Sequence, residues 1–355
     1  MTKQRDLRLD LIRSAAVVMV LSVHFFLNCG FYDLPVQGRR MEAAAIVRTG
    51  LMSCVPLFLL LSGWLLGSRR WSPRYYKGAL RVVVAYGLAG TACFLFRGLA
   101  LHGPLSPKTW LREMLQFSAA PYGWYIAMYL GLFLLIPFLN AMWAALEQRE
   151  RKFLIATLLL VAVAPSIDNI TAIWQIQLLP DWWNRLYPIA YYCIGMQLRE
   201  HPIPWRWPVC LLGAAASTVC GGLVHIYLVK GGPLTYLEVT YWGGLFTVTT
   251  AVLLFSALRQ WPVERWPGAV RWCLERLSRL SLSVYLISWI PDQLVYPWLA
   301  RRIPAAVDRL TWFPAAVGAV LLISLPLAQV LVWLEGGILR LTDRLLPEKR
   351  LEISR

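Results

Sequence analysis

Long apolar runs separated by short polar stretches dominate the chain. A helix needs about 20 mostly apolar residues to cross the hydrocarbon core of a bilayer. Ten segments approach that length, so the pattern predicts a helical membrane bundle of about ten spans. The predicted spans are residues 9–31, 45–67, 79–100, 122–143, 153–171, 185–199, 207–228, 238–258, 279–299 and 314–337. Because the loops between them are short, we expect a single all-α membrane domain over residues 1–355.

Composition supports this class of protein and excludes others. Of the 355 residues, 58% are apolar and 15% are charged, against about 25% charged residues in an ordinary soluble domain. A soluble enzyme of this size needs more charged surface, and a disordered chain is less hydrophobic. The seven cysteines include no Cys-x-x-Cys pair. We therefore expect no disulfide framework and no bound metal.

The net charge of +16 fits a membrane topology better than it fits nucleic-acid binding. Positive residues lie mainly in short loops, where the positive-inside rule places them on the cytosolic side. With the amino terminus in the cytosol, about two thirds of the 35 Lys and Arg residues fall in cytosolic segments. We therefore predict that both termini are cytoplasmic, that the bilayer is the main partner, and that nucleic acid is not bound.

Three ionisable residues lie on one face of the first span. His24 follows Arg13 by three helical turns plus about 20°, and Asp10 lies one turn before Arg13. Asn28 extends this face by one more turn. Charged side chains facing lipid cost about 2.5 kcal/mol or more, so the face is predicted to point into the bundle or a wet cavity. Alternatively, Arg13 only reaches cytosolic headgroups and His24 only hydrogen-bonds a neighbouring helix. His225, near the outer end of the seventh predicted span, is a further candidate base.

The ninth span carries a second polar face. Side chains that can hydrogen-bond recur there at helical spacing and lead to Asp292 near the predicted outer end: Ser278, Ser281, Tyr285 and Ser288. His24 is predicted to lie at a similar depth. A contact between Asp292 and His24 is therefore possible, and it would orient the imidazole. The serines by themselves are explained equally well by helix packing and by hydrogen bonds between helices.

Candidate binding groups lie at both mouths of the predicted bundle. On the cytosolic side, one face of the third span carries Arg74, Lys77 and Arg81. Such a cluster suits the phosphates of a soluble donor, although the positive-inside rule also produces clusters of this kind. At the outer end of the fourth span, Trp124 and Tyr125 form either an interfacial anchor or a platform for a sugar ring.

These segments resemble membrane acyltransferase family 3, the integral-membrane O-acyltransferases of bacterial envelope glycans. The stretch from Asp10 to His24 resembles the family's first-helix motif, in which an Asp and an Arg are followed after ten residues by a His. Three further segments are similar to the family in the same order along the chain: Pro56-Leu-Phe-Leu-Leu-Leu-Ser-Gly-Trp-Leu-Leu, Gly123-Trp-Tyr through Pro137-Phe-Leu-Asn, and Leu280-Ser-Leu-Ser-Val-Tyr-Leu-Ile.

The resemblance implies an O-acyltransferase of the bacterial inner membrane. Its co-substrate would be cytosolic acyl-CoA, commonly acetyl-CoA, with no permanently bound cofactor, and its acceptor a hydroxyl of an envelope saccharide or lipid-linked glycan. The expected catalytic residues are His24, Arg13 and Asp10, with His24 as general base or nucleophile. The expected donor-binding residues are Arg13, Arg74, Lys77 and Arg81. The expected acceptor-binding residues are Asn28, Trp124, Tyr125, Tyr285 and Asp292.

Two other functions fit the same polar faces. A membrane domain that transports a small molecule such as an amino acid could line its path with Arg, His and Asp side chains. A non-catalytic scaffold in an envelope-assembly complex could use them only for folding. Uptake without acyl-CoA would favour the transporter, and unchanged product chemistry after substitution of Arg13 or His24 would favour the scaffold. The oligomeric state is left open.

Overall fold

The computed structural model describes residues 5–171 and 179–345, and this part of the chain is all-α, without strands. In the amino-terminal part the helices are α1 (Leu7–Asn28), α2 (Arg39–Leu51), α3 (Cys54–Leu66), α4 (Pro73–Ala100), α5 (Pro107–Leu115), α6 (Trp124–Ala145) and α7 (Gln148–Thr171). They continue as α8 (Tyr187–Glu200), α9 (Trp207–Val229), α10 (Leu245–Arg259), α11 (Gly268–Ile287), α12 (Trp289–Arg302), α13 (Ala306–Arg309) and α14 (Phe313–Leu345). The predicted cytosolic tail after residue 345 lies outside the described residues.

Within the described ranges, seven helical stretches are long and apolar enough to cross a membrane. They are Leu7–Asn28, Arg39–Leu66, Pro73–Ala100, Trp124–Ala145, Trp207–Val229, Glu238–Arg259 and Ala306–Thr342. Three other predicted spans take different forms. The segment 153–171 lies in α7, which begins with charged residues, and 185–199 is largely the 14-residue helix α8.

The predicted span 279–299 is divided between α11 and α12 at Ser288. Pro291 explains the division. It lacks an N–H and its ring clashes with the carbonyl four residues earlier, that of Ile287, where α11 ends. Both helices pack against α1. The break therefore lets the polar side chains of α11 and the start of α12 face one helix from two directions.

Helix α1 is the central element of the bundle. Asp6 caps its first turn by accepting a hydrogen bond of 3.0 Å from the backbone N–H of Arg8. The helix packs against α3, α11 and α14. Its polar residues Asp10 and His24 are buried together with apolar neighbours such as Ile12 and Leu21. The polar face predicted for the first span is therefore turned into the protein.

Glycines allow the backbones of α3 and α8 to touch. A Cβ atom on Gly63 would overlap the carbonyl oxygen of Tyr192 and lie 3.1 Å from the Cα of Gly195. A Cβ atom on Gly195 would in turn overlap the carbonyl oxygen of Leu60. Close packing through small residues is the usual way in which membrane helices associate. The close contact with α8 fixes the position of α3, and therefore the position of the apolar side chains that α3 turns toward α1.

Candidate active site

A cavity of about 610 Å³ lies beside α1, and both Arg13 and His24 line it. Its other walls come from α3, α6 and α11, with Phe58, Tyr125 and Tyr285 among the lining residues. The rise of about 1.5 Å per residue separates Arg13 and His24 by about 16 Å along the helix. The cavity therefore connects a cation near one end of α1 with an imidazole near the other.

A second cavity, of about 670 Å³, lies at the amino-terminal end of α1, the end predicted to face the cytosol. Arg13 and Ser281 line both cavities, so the two spaces meet at these side chains. The second cavity is also lined by three further cationic side chains: Arg5, Arg81 and Arg279. The two cavities are therefore neighbours that share the Arg13 side chain, and His24 lines only the first of them.

Asp10 is held by two partners at the junction of the cavities. Its carboxylate accepts hydrogen bonds of 2.5 and 2.8 Å from the Arg5 guanidinium and one of 2.6 Å from the Ser278 hydroxyl. The bond from Arg5 to Asp10 raises the pKa of Arg5 above its usual value. Arg13 lies 3.8 Å from the carboxylate, beyond hydrogen-bonding distance, and donates to the Ser278 hydroxyl at 3.0 Å. Asp10 thus contacts Arg5 directly and positions Arg13 mainly through Ser278.

His24 lies in a compact polar cluster at the other end of α1. Its ring stacks on Tyr122, with 3.6 Å between the ring centroids. The Tyr122 hydroxyl donates a hydrogen bond of 2.7 Å to Asp292 and accepts one of 3.1 Å from the Asn28 amide. Asp292 lies with one oxygen 3.9 Å from His24 Nδ1. Tyr285 supports the cluster from α11, since its hydroxyl donates to the Tyr122 carbonyl.

Two polar atoms of this cluster have no hydrogen-bond partner among the described residues. They are His24 Nδ1 and Asp292 Oδ1, and both are buried. His24 lines the cavity, and Nδ1 is the ring nitrogen directed toward Asp292. The opposite nitrogen, Nε2, is therefore the one that can meet a ligand in the cavity. A neutral imidazole backed by a carboxylate can accept a proton there and hold the resulting charge.

Aromatic rings line the cavity near His24. Trp124 stacks on Trp242 with 4.0 Å between the ring centroids. Tyr125 meets Tyr285 edge to face at 6.0 Å. All four residues line the cavity. Flat apolar rings combined with phenolic hydroxyls give a surface on which a sugar ring can stack.

The model of the acyltransferase domain of family 3 matches residues 6–329. The chain belongs to acyltransferase family 3. The resemblance seen in its sequence is thereby confirmed. Comparison with curated proteins and with solved structures finds no match. Family membership and the apolar helices together identify a multi-pass membrane protein and support an acyltransferase activity.

The expected donor-binding residues of this family-3 chain differ in whether they line a cavity. Arg81 lines the second cavity, where it forms an ion pair of 3.2 Å with Glu335. Arg74 and Lys77 are exposed and line neither of the two cavities. Of the three residues expected to form a donor-binding cluster, Arg81 lines a cavity and the other two lie outside both cavities. Their role in donor binding stays a prediction. Residues three and four apart share a helix face, but they lie at different heights along α4, and only the last one reaches the cavity.

The expected acceptor-binding residues fall into two groups in the family-3 structure. Trp124, Tyr125 and Tyr285 line the cavity. Asn28 and Asp292 do not line it, and they contact instead the Tyr122 and His24 side chains that do. The structure thus places these two polar residues behind the cavity wall, where they position its lining side chains.

Sequence reasoning missed several residues of the site. Tyr122 joins His24, Asn28 and Asp292, yet in the sequence it is one aromatic residue among many. Arg48 lies inside the predicted span 45–67 but is not among the predicted site residues, and the structure shows that it is buried and lines the cavity. A signal for Arg48 was available, since it lies only six residues before the apolar helix α3. The spare candidate His225 is buried elsewhere, and both its ring nitrogens have hydrogen-bond partners on the segment 235–240.

Proposed function

We propose that this protein is a membrane O-acyltransferase that moves an acyl group, in the simplest case acetyl, from cytosolic acyl-CoA to a hydroxyl of an envelope saccharide or lipid-linked glycan. The observation that carries the proposal is that Arg13 and His24 line one cavity, and that Arg13 also lines a second cavity at the amino-terminal end of α1. A donor entering from one side and an acceptor entering from the other would meet at His24.

The donor enters through the second cavity in this proposal. Arg13 and Arg81 bind the phosphate-bearing part of acyl-CoA, because guanidinium groups form charge-assisted, often bidentate, hydrogen bonds with phosphate. Arg5 and Arg279 line the same cavity, and so do three carboxylates, those of Asp6, Asp10 and Glu335. Arg74 and Lys77 are not part of this assignment. The pantetheine arm passes Arg13 and extends along α1 toward His24.

His24 acts at the acceptor hydroxyl. Nε2 takes the hydroxyl proton as the oxygen attacks the thioester carbonyl carbon, and a tetrahedral intermediate forms. The C–S bond then breaks, the ester remains on the acceptor, and the proton passes from the imidazolium to the CoA sulfur. In the nucleophilic variant, Nε2 itself attacks the thioester carbonyl carbon, and the C–S bond breaks to release the CoA thiolate. The acceptor hydroxyl then attacks the acyl-imidazolium, its proton passes to the thiolate, and the C–N bond breaks to leave the ester on the acceptor and a neutral imidazole. Positive charge develops on the imidazole in both variants, and Asp292 stabilises it.

The remaining site residues position these groups. Tyr122 holds Asp292 and stacks on His24, and Asn28 fixes the Tyr122 hydroxyl. The acceptor sugar stacks on the rings of Trp124 and Tyr125. Asp10 and Ser278 orient the Arg13 guanidinium toward the junction of the cavities.

The proposal includes a topology. The chain, residues 1–355, acts as one domain of the bacterial inner membrane, with about ten crossings and both termini in the cytosol. This places the Arg13 end of α1 near the acyl-CoA pool. It places the end of α1 that carries His24 toward the envelope side, where saccharide acceptors are found.

The proposal is tested by replacing His24 with alanine in the full chain reconstituted in proteoliposomes. Transfer of labelled acetyl from acetyl-CoA to an envelope glycan extract should fall by about 10²- to 10⁴-fold, the usual contribution of a general base. His201→Ala is the matched control, since His201 is exposed. Thermal unfolding of both variants checks their folding. Wild-type transfer by folded His24→Ala protein would overturn the assignment.

A transport function is the second candidate, and the two neighbouring cavities are the observation that favours it. Two cavities that meet at Arg13 could also carry a small polar solute. The two functions differ in their dependence on acyl-CoA. Uptake of a labelled amino acid such as serine into proteoliposomes without acyl-CoA would favour transport, whereas saturable acetyl-CoA binding that depends on Arg13 would favour the acyltransferase.

A further inference from the structure

Arg48 is a buried cation that the mechanism above does not use. It lies in α2 with 6% of its surface exposed, and it lines the same cavity as His24. Its Nε donates a hydrogen bond of 2.9 Å to the Tyr32 hydroxyl, and its guanidinium carbon lies 5.7 Å from the centre of the Tyr32 ring. No carboxylate among residues 5–171 and 179–345 lies within ion-pair distance of Arg48.

A buried charge without a partner destabilises the folded protein, because the ion has lost its hydration and gained no counter-charge. Among the described residues, the half-buried Arg97 and Arg151 pair with Glu113 and Glu200. The half-buried Arg309 instead donates to three backbone carbonyls. The Nη groups of Arg48, with no hydrogen bond to the described residues, form a planar fork suited to two oxygens of a carboxylate or phosphate. The missing counter-ion of Arg48 is thus best sought in a ligand of the cavity.

The position of Arg48 indicates which ligand this is. Its partner Tyr32 follows the carboxyl end of α1, on the His24 side and away from Arg13. Arg48 lines the first cavity and is not among the lining residues of the second, where the donor phosphates are placed. The same cavity region holds Tyr241 and Trp242, and Trp242 stacks on Trp124. A cation beside an aromatic wall suits a saccharide that carries an anionic group.

We propose that Arg48 is an acceptor-binding residue and that the acceptor is an anionic saccharide, whose carboxylate or phosphate pairs with the Arg48 guanidinium while its sugar ring stacks on Trp124 and Trp242. This inference rests on the proposed function, because it names the acceptor class for the same cavity. Arg48 fixes the anionic group, and this holds a sugar hydroxyl near His24.

The test uses the full chain in nanodiscs and a readout that does not require acyl transfer. Thermal unfolding is followed at constant ionic strength with methyl glucoside, glucuronate, glucose 1-phosphate or inorganic phosphate. A ligand that binds only the folded state raises the melting temperature. We expect a rise with glucuronate or glucose 1-phosphate, and a much smaller one with methyl glucoside. A rise with glucuronate alone indicates a carboxylate acceptor, and one with glucose 1-phosphate alone a phosphorylated acceptor.

Two variants and a control locate the effect. Arg48→Met should abolish the rise and Arg48→Lys should retain part of it, because lysine keeps the charge but loses the fork. Arg39→Met is the control, since Arg39 is exposed at the start of the same helix. Equal rises with neutral and anionic sugars, an equal rise in Arg48→Met, or no rise with any ligand would overturn the proposal. If inorganic phosphate raised the melting temperature as much as glucose 1-phosphate, the proposal would also be overturned, because the site would then bind the anion without recognising the sugar.

A kinetic arm separates this inference from the proposed function. With acetyl-CoA as donor, Arg48→Met should raise KM for the anionic acceptor by about 10- to 100-fold, the usual value of a charged hydrogen bond. The kcat and the KM for acetyl-CoA should stay close to wild type. Transfer to neutral and anionic sugars with the same KM in both proteins would overturn the role of Arg48 and leave the acyltransferase intact. No transfer to any sugar, with the thermal shifts present, would overturn the enzyme function and leave the anion site.

Discussion

The contact between Asp292 and His24 gives the sharpest prediction for catalysis. Replacing Asp292 with asparagine keeps the size and shape of the side chain, and the Tyr122 hydroxyl can still donate to its oxygen. What is lost is one negative charge 3.9 Å from His24 Nδ1. If positive charge develops on the imidazole during acyl transfer, the substitution removes its stabilisation without removing the base.

The size of the effect follows from the distance. Two unit charges separated by 3.9 Å interact with about 4 kcal/mol at an effective dielectric constant of about 20. Both side chains are buried, so bulk salt screens the interaction little. Since each 1.36 kcal/mol corresponds to a factor of ten in rate, kcat should fall by about 10³-fold. The KM for acetyl-CoA should change little, because Asp292 does not line the donor cavity.

The assay is single-turnover acetyl transfer in proteoliposomes at saturating acetyl-CoA. Asp308→Asn is the matched control: it makes the same isosteric change in an exposed carboxylate that pairs with Arg40 at 2.8 Å. Thermal unfolding should show little loss of stability in Asp292→Asn, because Oδ1 of the native carboxylate has no hydrogen-bond partner among the described residues. A folded Asp292→Asn protein that keeps more than about a tenth of the wild-type rate would refute the charge-stabilisation argument.

Three further substitutions test the packing and the donor site. Gly63→Ala should lower stability by about 3 kcal/mol or more, since its Cβ would overlap the Tyr192 carbonyl and overpacking against backbone cannot relax easily; a melting temperature equal to wild type would contradict the close packing of α3 and α8. Arg81→Gln should raise KM for acetyl-CoA by about tenfold or more through loss of a phosphate contact, whereas Arg74→Gln should leave it unchanged. Equal effects of the two substitutions would contradict the assignment of the donor to the second cavity.

The sequence alone determined the class of the protein and one face of its central helix. Membrane insertion follows from the length and apolarity of local segments, which need no knowledge of neighbours. The shared face of Asp10, Arg13 and His24 follows equally from the helical repeat. Burial of Asp10 and His24 in the bundle agrees with that prediction. The polar face of the ninth span likewise led to the Asp292–His24 contact, observed at 3.9 Å.

Only the tertiary structure decided how separate helices meet. The contacts of Tyr122 with both His24 and Asp292 depend on the lateral position of elements distant in the chain, and so does the hydrogen bond that Ser278 donates to Asp10. Helical periodicity states which residues share a face, but it does not state which neighbour covers that face or at what height. For this reason the sequence could group Arg74 with Arg81, and only the packed bundle could show that Arg81 lines the cavity and Arg74 does not.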